Sequence, residues 1–261
     1  MLRFDHKPSL VAYVTCGDPT TAVTRQVVLA AIDAGADVVE LGVPFSDPVA
    51  DGPVIQRASE RALRGGTTLQ NVLELARDVR RAKPKAGLII FSYLNPVLRM
   101  GIEAFCAAAT AAGVDGALIT DLTVEEAGEY VTCMRRHQLA TVFLAAPTSP
   151  DARLRRIAAA SRGFVYAVSR TGVTGARHEV SADAQQLVRR IRRFTKLPVA
   201  VGFGISTPEQ FAAVGGWADA VVVGSAIVQQ VEANPGREAQ AVEQFVRALK
   251  SEASVGATNR K

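Results

Sequence analysis

Cysteine and histidine are both rare in this 261-residue chain, which has three of each. The cysteines show no CxxC spacing and the histidines do not cluster: they are Cys16, Cys106, Cys133, His6, His137 and His178. Zinc sites and disulfide frameworks are recognised by closely spaced sets of these residues. The sequence therefore predicts no metal site and no disulfide bond. It also lacks a GxGxxG motif after its first apolar run, so no dinucleotide cofactor is expected.

Long apolar runs are absent as well. No stretch approaches the roughly 18 apolar residues of a membrane-spanning helix. The first seven residues carry charges, and no apolar stretch of the signal-peptide type follows them. We therefore expect a cytoplasmic protein without membrane segments.

Aromatic residues make up only 6% of the chain, and the basic clusters contain none. Thirty basic residues against 25 acidic ones give a net charge of +5. The clusters at 80–83, 135–137 and 189–193 each close a predicted helix, where cations offset the negative end of the helix dipole. Single-stranded nucleic acids are bound by basic grooves that also carry aromatic side chains. A nucleic-acid partner is therefore not expected.

The chain does contain a regular alternation of short apolar runs with amphipathic stretches, which is typical of repeated βα units and a parallel sheet. At this length, and without a break in composition, eight such units predict an α/β fold, namely a (β/α)8 TIM barrel with extra short helices. The predicted strands are 9–14, 37–41, 87–92, 116–120, 140–145, 164–168, 199–202 and 218–223. The predicted helices are 20–33, 52–64, 68–82, 101–112, 124–138, 150–160, 181–193, 207–214, 225–232 and 236–250. The single domain is expected to span 1–250, and the small, polar residues 251–261 are expected to form a disordered tail.

Two acidic residues stand at the end of the second predicted strand and in the loop that follows it. Alternation along the strand places Glu40 at its last inward-facing position. An inward carboxylate at a strand end is often half of an ion pair, but no basic partner is evident here. Asp51 opens a helical pattern with Pro53 in its first turn, so its structural role would be that of an N-cap. Active sites of TIM barrels lie at the strand C-terminal ends, which makes both residues catalytic candidates.

Glycines in the last three strand-end loops predict a phosphate site. Gly172 and Gly175, then Gly204, then Gly224 with Ser225 follow three neighbouring strands. Glycines let backbone amides approach an anion, and Ser225 opens a short extra helix whose positive end would face it. The structural alternative is that these glycines only make tight turns. We take the phosphate-binding residues to be Gly175, Gly204, Gly224 and Ser225.

Lysine is missing from the predicted strand C-terminal ends. All six lysines precede strands or lie in the tails, on the wrong face for a Schiff base. Proton transfer is therefore left to acids.

Aromatic residues lie near the same loops, and together they predict a pocket for a phosphorylated substrate with a bulky aromatic part. Plain barrel packing is the alternative role for each of them: Tyr13, Phe91, Tyr93, Tyr166 and Phe203.

The stretch Glu-Leu-Gly-Val-Pro-Phe-Ser-Asp-Pro-Val-Ala-Asp-Gly-Pro at 40–53 resembles the signature of the tryptophan synthase alpha subunit. The loops at 169–175, 202–206 and 224–228 resemble the phosphate loops of that family, and the likeness runs from about Ser9 to Lys250. It implies a lyase of tryptophan biosynthesis, without a cofactor, that cleaves indole-3-glycerol phosphate to indole and glyceraldehyde 3-phosphate. It also implies a beta subunit as partner, in an α2β2 heterotetramer.

The resemblance implies that Glu40 is the general acid and base and that Asp51 faces the indole N–H, with Tyr166 beside Glu40. This chemistry suits the residues present, because protonation of indole C3 makes the substrate its own electron sink. Glu40 then needs a pKa raised by apolar surroundings, and Asp51 has to stay ionised. We further expect residues 170–181 to close as a lid that brings Thr174 near Asp51.

The sequence departs from the family pattern in two places. Its N-terminal segment is short, and Thr123 stands where the family commonly has proline, in a loop near the partner. Two alternatives stay open. One is another phosphate-binding barrel enzyme, such as indole-3-glycerol phosphate synthase, although that enzyme relies on strand-end lysines. The other is a catalytically silent barrel that only activates a beta-type subunit.

Overall fold

Parallel strands form the centre of the computed structural model, which describes residues 2–168, 182–202 and 204–258. They pair in the order β5-β4-β3-β2-β1-β9-β8-β7-β6. The first and last strands of the chain are therefore neighbours, with Ser9 opposite Ala220. The strands are β1 Ser9–Thr15, β2 Val38–Gly42, β3 Gly87–Ser92, β4 Gly116–Ile119, β5 Ala140–Val142, β6 Leu144–Ala145, β7 Val165–Val168, β8 Val199–Gly202 and β9 Ala220–Val223.

The two ends of this strand order are halves of one strand. Strands β5 and β6 together cover the predicted strand 140–145 and are separated only by Phe143. The first half pairs with β4, whereas the second pairs with β7. The Phe143 carbonyl accepts from the Tyr166 amide at 3.1 Å, so the change of partner occurs at this residue. The sheet is thus a ring of eight strands, which confirms the predicted TIM barrel.

Helices surround the ring, and most lie within a few residues of their predicted positions. A short helix at 94–100 lies where no helix is predicted, and Pro96 stands in its first turn, where proline is accommodated. The last helix runs past the predicted end at 250. The helices are α1 Thr21–Asp33, α2 Pro53–Arg64, α3 Leu69–Ala82, α4 Leu94–Met100, α5 Ile102–Ala111, α6 Gly128–Arg136, α7 Asp151–Ala160, α8 Ala182–Ile191, α9 Pro208–Gly215, α10 Ser225–Ala233 and α11 Glu238–Thr258. Among these helices none has the length and apolar character needed to cross a membrane.

Alternation along the strands separates two apolar layers. Outward side chains such as Leu41 and Ile90 pack with the helices in the larger core. Inward side chains such as Val11, Val38 and Ile89 fill the interior of the ring. Because successive strand residues point to opposite sides, Glu40 follows Val38 into the interior.

Candidate active site

Glu40 is a buried acid within the ring of strands. It lies beside Tyr13 of β1 and Ile89 of β3 in the sheet register. Only 1% of the residue is exposed, and within the described ranges neither carboxylate oxygen has a hydrogen-bond partner. Burial of the carboxylate raises its pKa from 4.5 to about 8. A carboxyl group with this pKa exchanges protons readily near neutral pH.

Two tyrosine hydroxyls lie over glycines in the same part of the ring. A Cβ added at Gly42 would be 2.4 Å from the Tyr13 hydroxyl oxygen, and one at Gly202 would be 2.2 Å from that of Tyr166. Both tyrosines are buried, and burial is the main cause that raises each pKa well above 10. The charges of Glu40 and Asp51 raise both values further. These two carboxylates therefore flank a pair of tyrosines that stay protonated.

Asp51 is held by a tyrosine rather than by a helix terminus. The Tyr93 hydroxyl donates to Asp51 Oδ2 at 3.1 Å and accepts from the Ala50 amide at 2.9 Å. The N-cap of α2 is Gly52, without a side-chain cap bond, so the N-cap role considered for Asp51 is wrong. Burial raises the pKa of Asp51 from 3.8 to about 6, and the Tyr93 hydrogen bond opposes that rise. The carboxylate is thus mostly ionised above pH 7.

Phe91 and Phe45 complete the aromatic surroundings. The Phe91 ring meets Tyr13 edge-on, with centroids 5.0 Å apart. Phe45 stacks on Tyr93 at the same centroid distance, with 29° between the planes. Of the four described lining residues that were predicted, Tyr13 and Phe91 pair with each other and Tyr93 pairs with Phe45, whereas Tyr166 is in neither pair. The contribution of Phe45 was missed, although it lies within the 40–53 stretch.

The predicted phosphate loops lie at the ends of adjacent strands. Gly204 follows β8 and Gly224 follows β9, and these strands pair through Val201 and Val221. Gly204 has a φ of +85°, a conformation that L side chains rarely adopt. The Gly224 carbonyl accepts from the amides of Ile227 and Val228 as α10 begins. The amides of Ser225 and the next residue therefore stand in the first helical turn, where no internal acceptor exists.

Three predicted site residues lie outside the described residues: Thr174, Gly175 and Phe203. The same holds for the whole segment 170–181, which is predicted to close as a lid. Their roles therefore stay predictions.

Other side chains that could take part in catalysis or metal binding lie away from the two carboxylates. Lys7 and Lys250 pair with Asp219 and Asp37, which precede β9 and β2 at the opposite end of the ring. In the described part of the chain one group could offer a metal three ligands: Glu103, Cys133 and His137, on α5 and α6. Arg136 already bonds that glutamate. We therefore read this group as an ion-pair cluster on the outer wall of the barrel.

Comparison with known proteins agrees with this geometry. A family described as Tryptophan synthase alpha chain matches residues 2–256. The chain belongs to the tryptophan synthase alpha chain family. Two curated relatives carry that name: one from Solibacter usitatus is 53% identical over 95% of this chain and 94% of its own, and one from Geobacter sulfurreducens is 50% identical over the same shares.

Solved structures show the same fold. Tryptophan synthase of Mycobacterium tuberculosis superposes with a TM-score of 0.88 and 36% identity, covering 95% of this chain and 93% of the other. A tryptophan synthase complex from Pyrococcus furiosus gives a TM-score of 0.87 and 38% identity, covering 94% and 98%. Membership in the family is therefore supported by sequence and by structure over nearly the full length of the chain.

Proposed function

We propose that this chain catalyses the alpha reaction of tryptophan synthase, the retro-aldol cleavage of indole-3-glycerol phosphate to indole and glyceraldehyde 3-phosphate. The observation that carries the proposal is the buried Glu40 carboxyl, which lacks a hydrogen-bond partner among the described residues and has a pKa near 8. A structural carboxylate in a barrel interior would be paired. An unpaired one suits an acid that has to give up and regain a proton.

The two carboxylates divide the chemistry between them. Glu40 donates its proton to indole C3, and positive charge develops on the ring nitrogen. Ionised Asp51 stabilises that charge through the N–H. Glu40, now a carboxylate, takes the proton of the glycerol hydroxyl next to the ring. The carbon–carbon bond then breaks, its electrons return to the ring, and the hydroxyl carbon becomes the aldehyde.

Phosphate binding and an aromatic lining support the same substrate. We assign the phosphate to the backbone amides around Gly204, Gly224 and Ser225, together with Gly175, and the indole ring to Tyr13, Phe91, Tyr93, Tyr166 and Phe203. Thr174 would orient Asp51. No cofactor is needed, because protonation of the substrate replaces the electron sink that other aldolases take from lysine or a metal.

A beta subunit is the proposed partner, in an α2β2 heterotetramer. Apolar side chains are exposed in the loop that carries Asp51 and on α4: Val49 is 81% exposed and Leu98 is 53% exposed. A groove of about 320 Å³ lies beside Val49, lined in part by Phe45, Pro48 and Leu63. Exposed apolar patches with polar rims are typical of protein interfaces. A cytoplasmic location fits this role, since all three cysteines are unpaired.

The test is a direct assay of indole release from indole-3-glycerol phosphate by the purified chain, with and without a beta subunit. We expect release by the chain alone and a higher rate with the partner. If the chain activates the beta subunit but releases no indole under any condition, it is a silent activator and the proposed reaction is wrong. Formation of indole-3-glycerol phosphate from an upstream substrate would instead support the synthase alternative.

A further inference from the structure

Helix α2 begins two residues after Asp51 and has less apolar anchorage than the helix that follows it. Its fully buried members are small, namely Ala58, Ser59 and Ala62, while Val54 and Ile55 are only partly buried against a small apolar cluster. Helix α3, which follows it, buries six side chains, among them Leu69, Leu73 and Leu75. Because the free energy of burial scales with apolar area, α2 gains less from packing than α3 does. The position of α2 therefore depends strongly on its polar contacts.

Arg61, in the last turn of α2, supplies the main polar contact. Its guanidinium donates from Nε and Nη2 to the two carboxylate oxygens of Asp18, at 2.7 and 2.8 Å. The Asp18 side chain is only 3% exposed, whereas that of Arg61 is 31% exposed, so the carboxylate is withdrawn from water and the guanidinium only in part. Asp18 belongs to the turn that follows β1, and α2 is thereby fixed to the C-terminal edge of the ring. A bidentate pair of this kind defines both distance and orientation.

The same arginine reaches a second element. Its Nη1 donates to Glu232 Oε1 at 2.8 Å, in the last turn of α10. Arg57, one turn earlier on α2, binds both oxygens of Glu232, at 2.9 and 2.7 Å. Both arginines therefore connect α2 to α10. Among the described contacts, only Arg61 binds the Asp18 side chain.

The chain between β2 and α2 has few backbone hydrogen bonds to the rest of the barrel. In this stretch Val43 donates to the Phe91 carbonyl at 2.8 Å and Asp51 donates to Pro48 at 3.0 Å, a local turn bond. The side chain of Gln56 on α2 also donates to the Asp51 carbonyl, at 2.8 Å. Asp51 is thus held from two sides: the Tyr93 hydroxyl binds its carboxylate and the Ala50 amide, and Gln56 at the start of α2 binds its carbonyl. Glu40, in contrast, is fixed by the sheet.

We propose that Arg61 is a positioning residue for Asp51: its bidentate pair with Asp18 sets α2, and α2 sets the carboxylate relative to Glu40. The proposal rests on the proposed alpha reaction, in which Asp51 acts in the cleavage step. A displacement of about 1 Å in such a group can reduce the rate by about a hundredfold. Loss of Arg61 should therefore lower kcat. KM should change little, because Arg57 still binds Glu232 of α10, and the first turn of α10 is the proposed phosphate site.

The experiment compares Arg61→Met with two matched variants of the full chain. Arg57→Met removes the neighbouring arginine but leaves the Asp18 pair intact. Arg80→Met removes a half-buried arginine of α3 that binds Asp115 at 2.7 Å, at the opposite end of the ring. We expect Arg61→Met to lower kcat at least tenfold with KM within threefold of wild type. Arg57→Met should lower kcat less than threefold. Arg80→Met should lower Tm by a similar amount to Arg61→Met, with kcat within twofold.

A second readout separates this proposal from the proposed function. Hydrogen exchange at the amides of 50–56 is measured for these three variants and for Arg61→Lys, and it needs no turnover. Among the three methionine variants we expect faster exchange there in Arg61→Met only. Arg61→Lys should show an intermediate effect on kcat and exchange, since an ammonium cannot form the bidentate pair. Wild-type kcat or wild-type exchange in Arg61→Met would overturn the positioning role while leaving the reaction assigned. A wild-type chain that releases no indole would overturn the reaction, and the exchange data would still decide whether Arg61 places α2.

Discussion

Glu40 and Asp51 are both buried carboxylic acids, yet their surroundings differ in kind. Glu40 lies on a strand of the ring and lacks a hydrogen-bond partner among the described residues, whereas Asp51 lies on a loop and accepts from Tyr93. Burial raises both pKa values, but to about 8 for Glu40 and about 6 for Asp51. Near pH 7 the first is therefore mostly protonated and the second mostly ionised. Two identical functional groups thus become a proton donor and an anion through their contacts alone.

The largest effect is expected when Glu40 loses its ability to transfer a proton. Glu40→Gln keeps the shape of the side chain but cannot transfer a proton, so kcat should fall about 10⁴-fold. Binding of a substrate analogue should stay within a few-fold of wild type. Steady-state kinetics and analogue titration provide the measurement. A variant with near-normal turnover would falsify the assignment of Glu40.

The same substitution should stabilise the fold at alkaline pH. The pKa of Glu40 is higher in the folded chain than its ordinary value of 4.5, so the folded state holds the proton more tightly. Wild type therefore loses stability as pH rises from about 4.5 to 8, by up to about 5 kcal/mol, and the loss is complete above that range. Glu40→Gln should not show this loss. Urea unfolding at pH 5 and pH 9 measures this loss. If the free energies of unfolding of variant and wild type differ by the same amount at both pH values, the raised pKa of Glu40 is contradicted.

Neutralising the second carboxylate should cost less than removing the first. Asp51→Asn leaves an amide that Tyr93 can still position but removes the charge that stabilises the ring nitrogen. We expect kcat to fall about a hundredfold, within the range seen when one electrostatic group is lost. The kinetic assay used for Glu40→Gln applies here. A loss confined to KM would show that Asp51 binds substrate without acting in the cleavage step.

A milder change tests whether the Tyr93 hydrogen bond keeps the pKa of Asp51 below that of Glu40. Tyr93→Phe keeps the stack on Phe45 but removes the hydroxyl that donates to Asp51 and holds the Ala50 amide. The pKa of Asp51 should then rise, because the hydrogen bond that opposed burial is lost. We expect a roughly tenfold fall in kcat at pH 7 and an acidic limb of the pH profile displaced to higher pH. An unmoved limb would mean that Tyr93 has no influence on the ionisation of Asp51.

The smallest effects are expected at the phosphate loops, where backbone groups would do the binding. Ser225→Ala should weaken binding of inorganic phosphate only two- to threefold, because the amide is retained. Gly204→Val should weaken it far more. Gly204 has a positive φ that L side chains rarely adopt, and no described atom lies within 4 Å of a Cβ added there, so backbone strain is the expected reason. Isothermal titration with phosphate tests both variants, and equal losses would argue for a side-chain site.

The sequence was most informative where a rule of geometry applied. Alternation along β2 placed Glu40 inside the ring, and the order of βα units predicted the barrel. The break at Phe143 was not predictable, since a change of pairing partner leaves the alternation of side chains intact. Asp51 shows a different limit. Its helical context suggested an N-cap, but Tyr93, 42 residues further along, supplies the decisive contact. A single sequence carries no direct record of contacts at that separation.

The pairing of β1 with β9 also determines when the ring can close during synthesis. Strand β1 can pair with β2 as soon as β2 emerges from the ribosome. Its other edge stays unpaired until residues 220–223 of β9 have been synthesised. At ordinary rates of translation this interval lasts about 10 to 40 s. An apolar strand with an open edge is prone to pair with other chains. Until its last strand is made, the nascent chain therefore carries an apolar strand edge without its native partner.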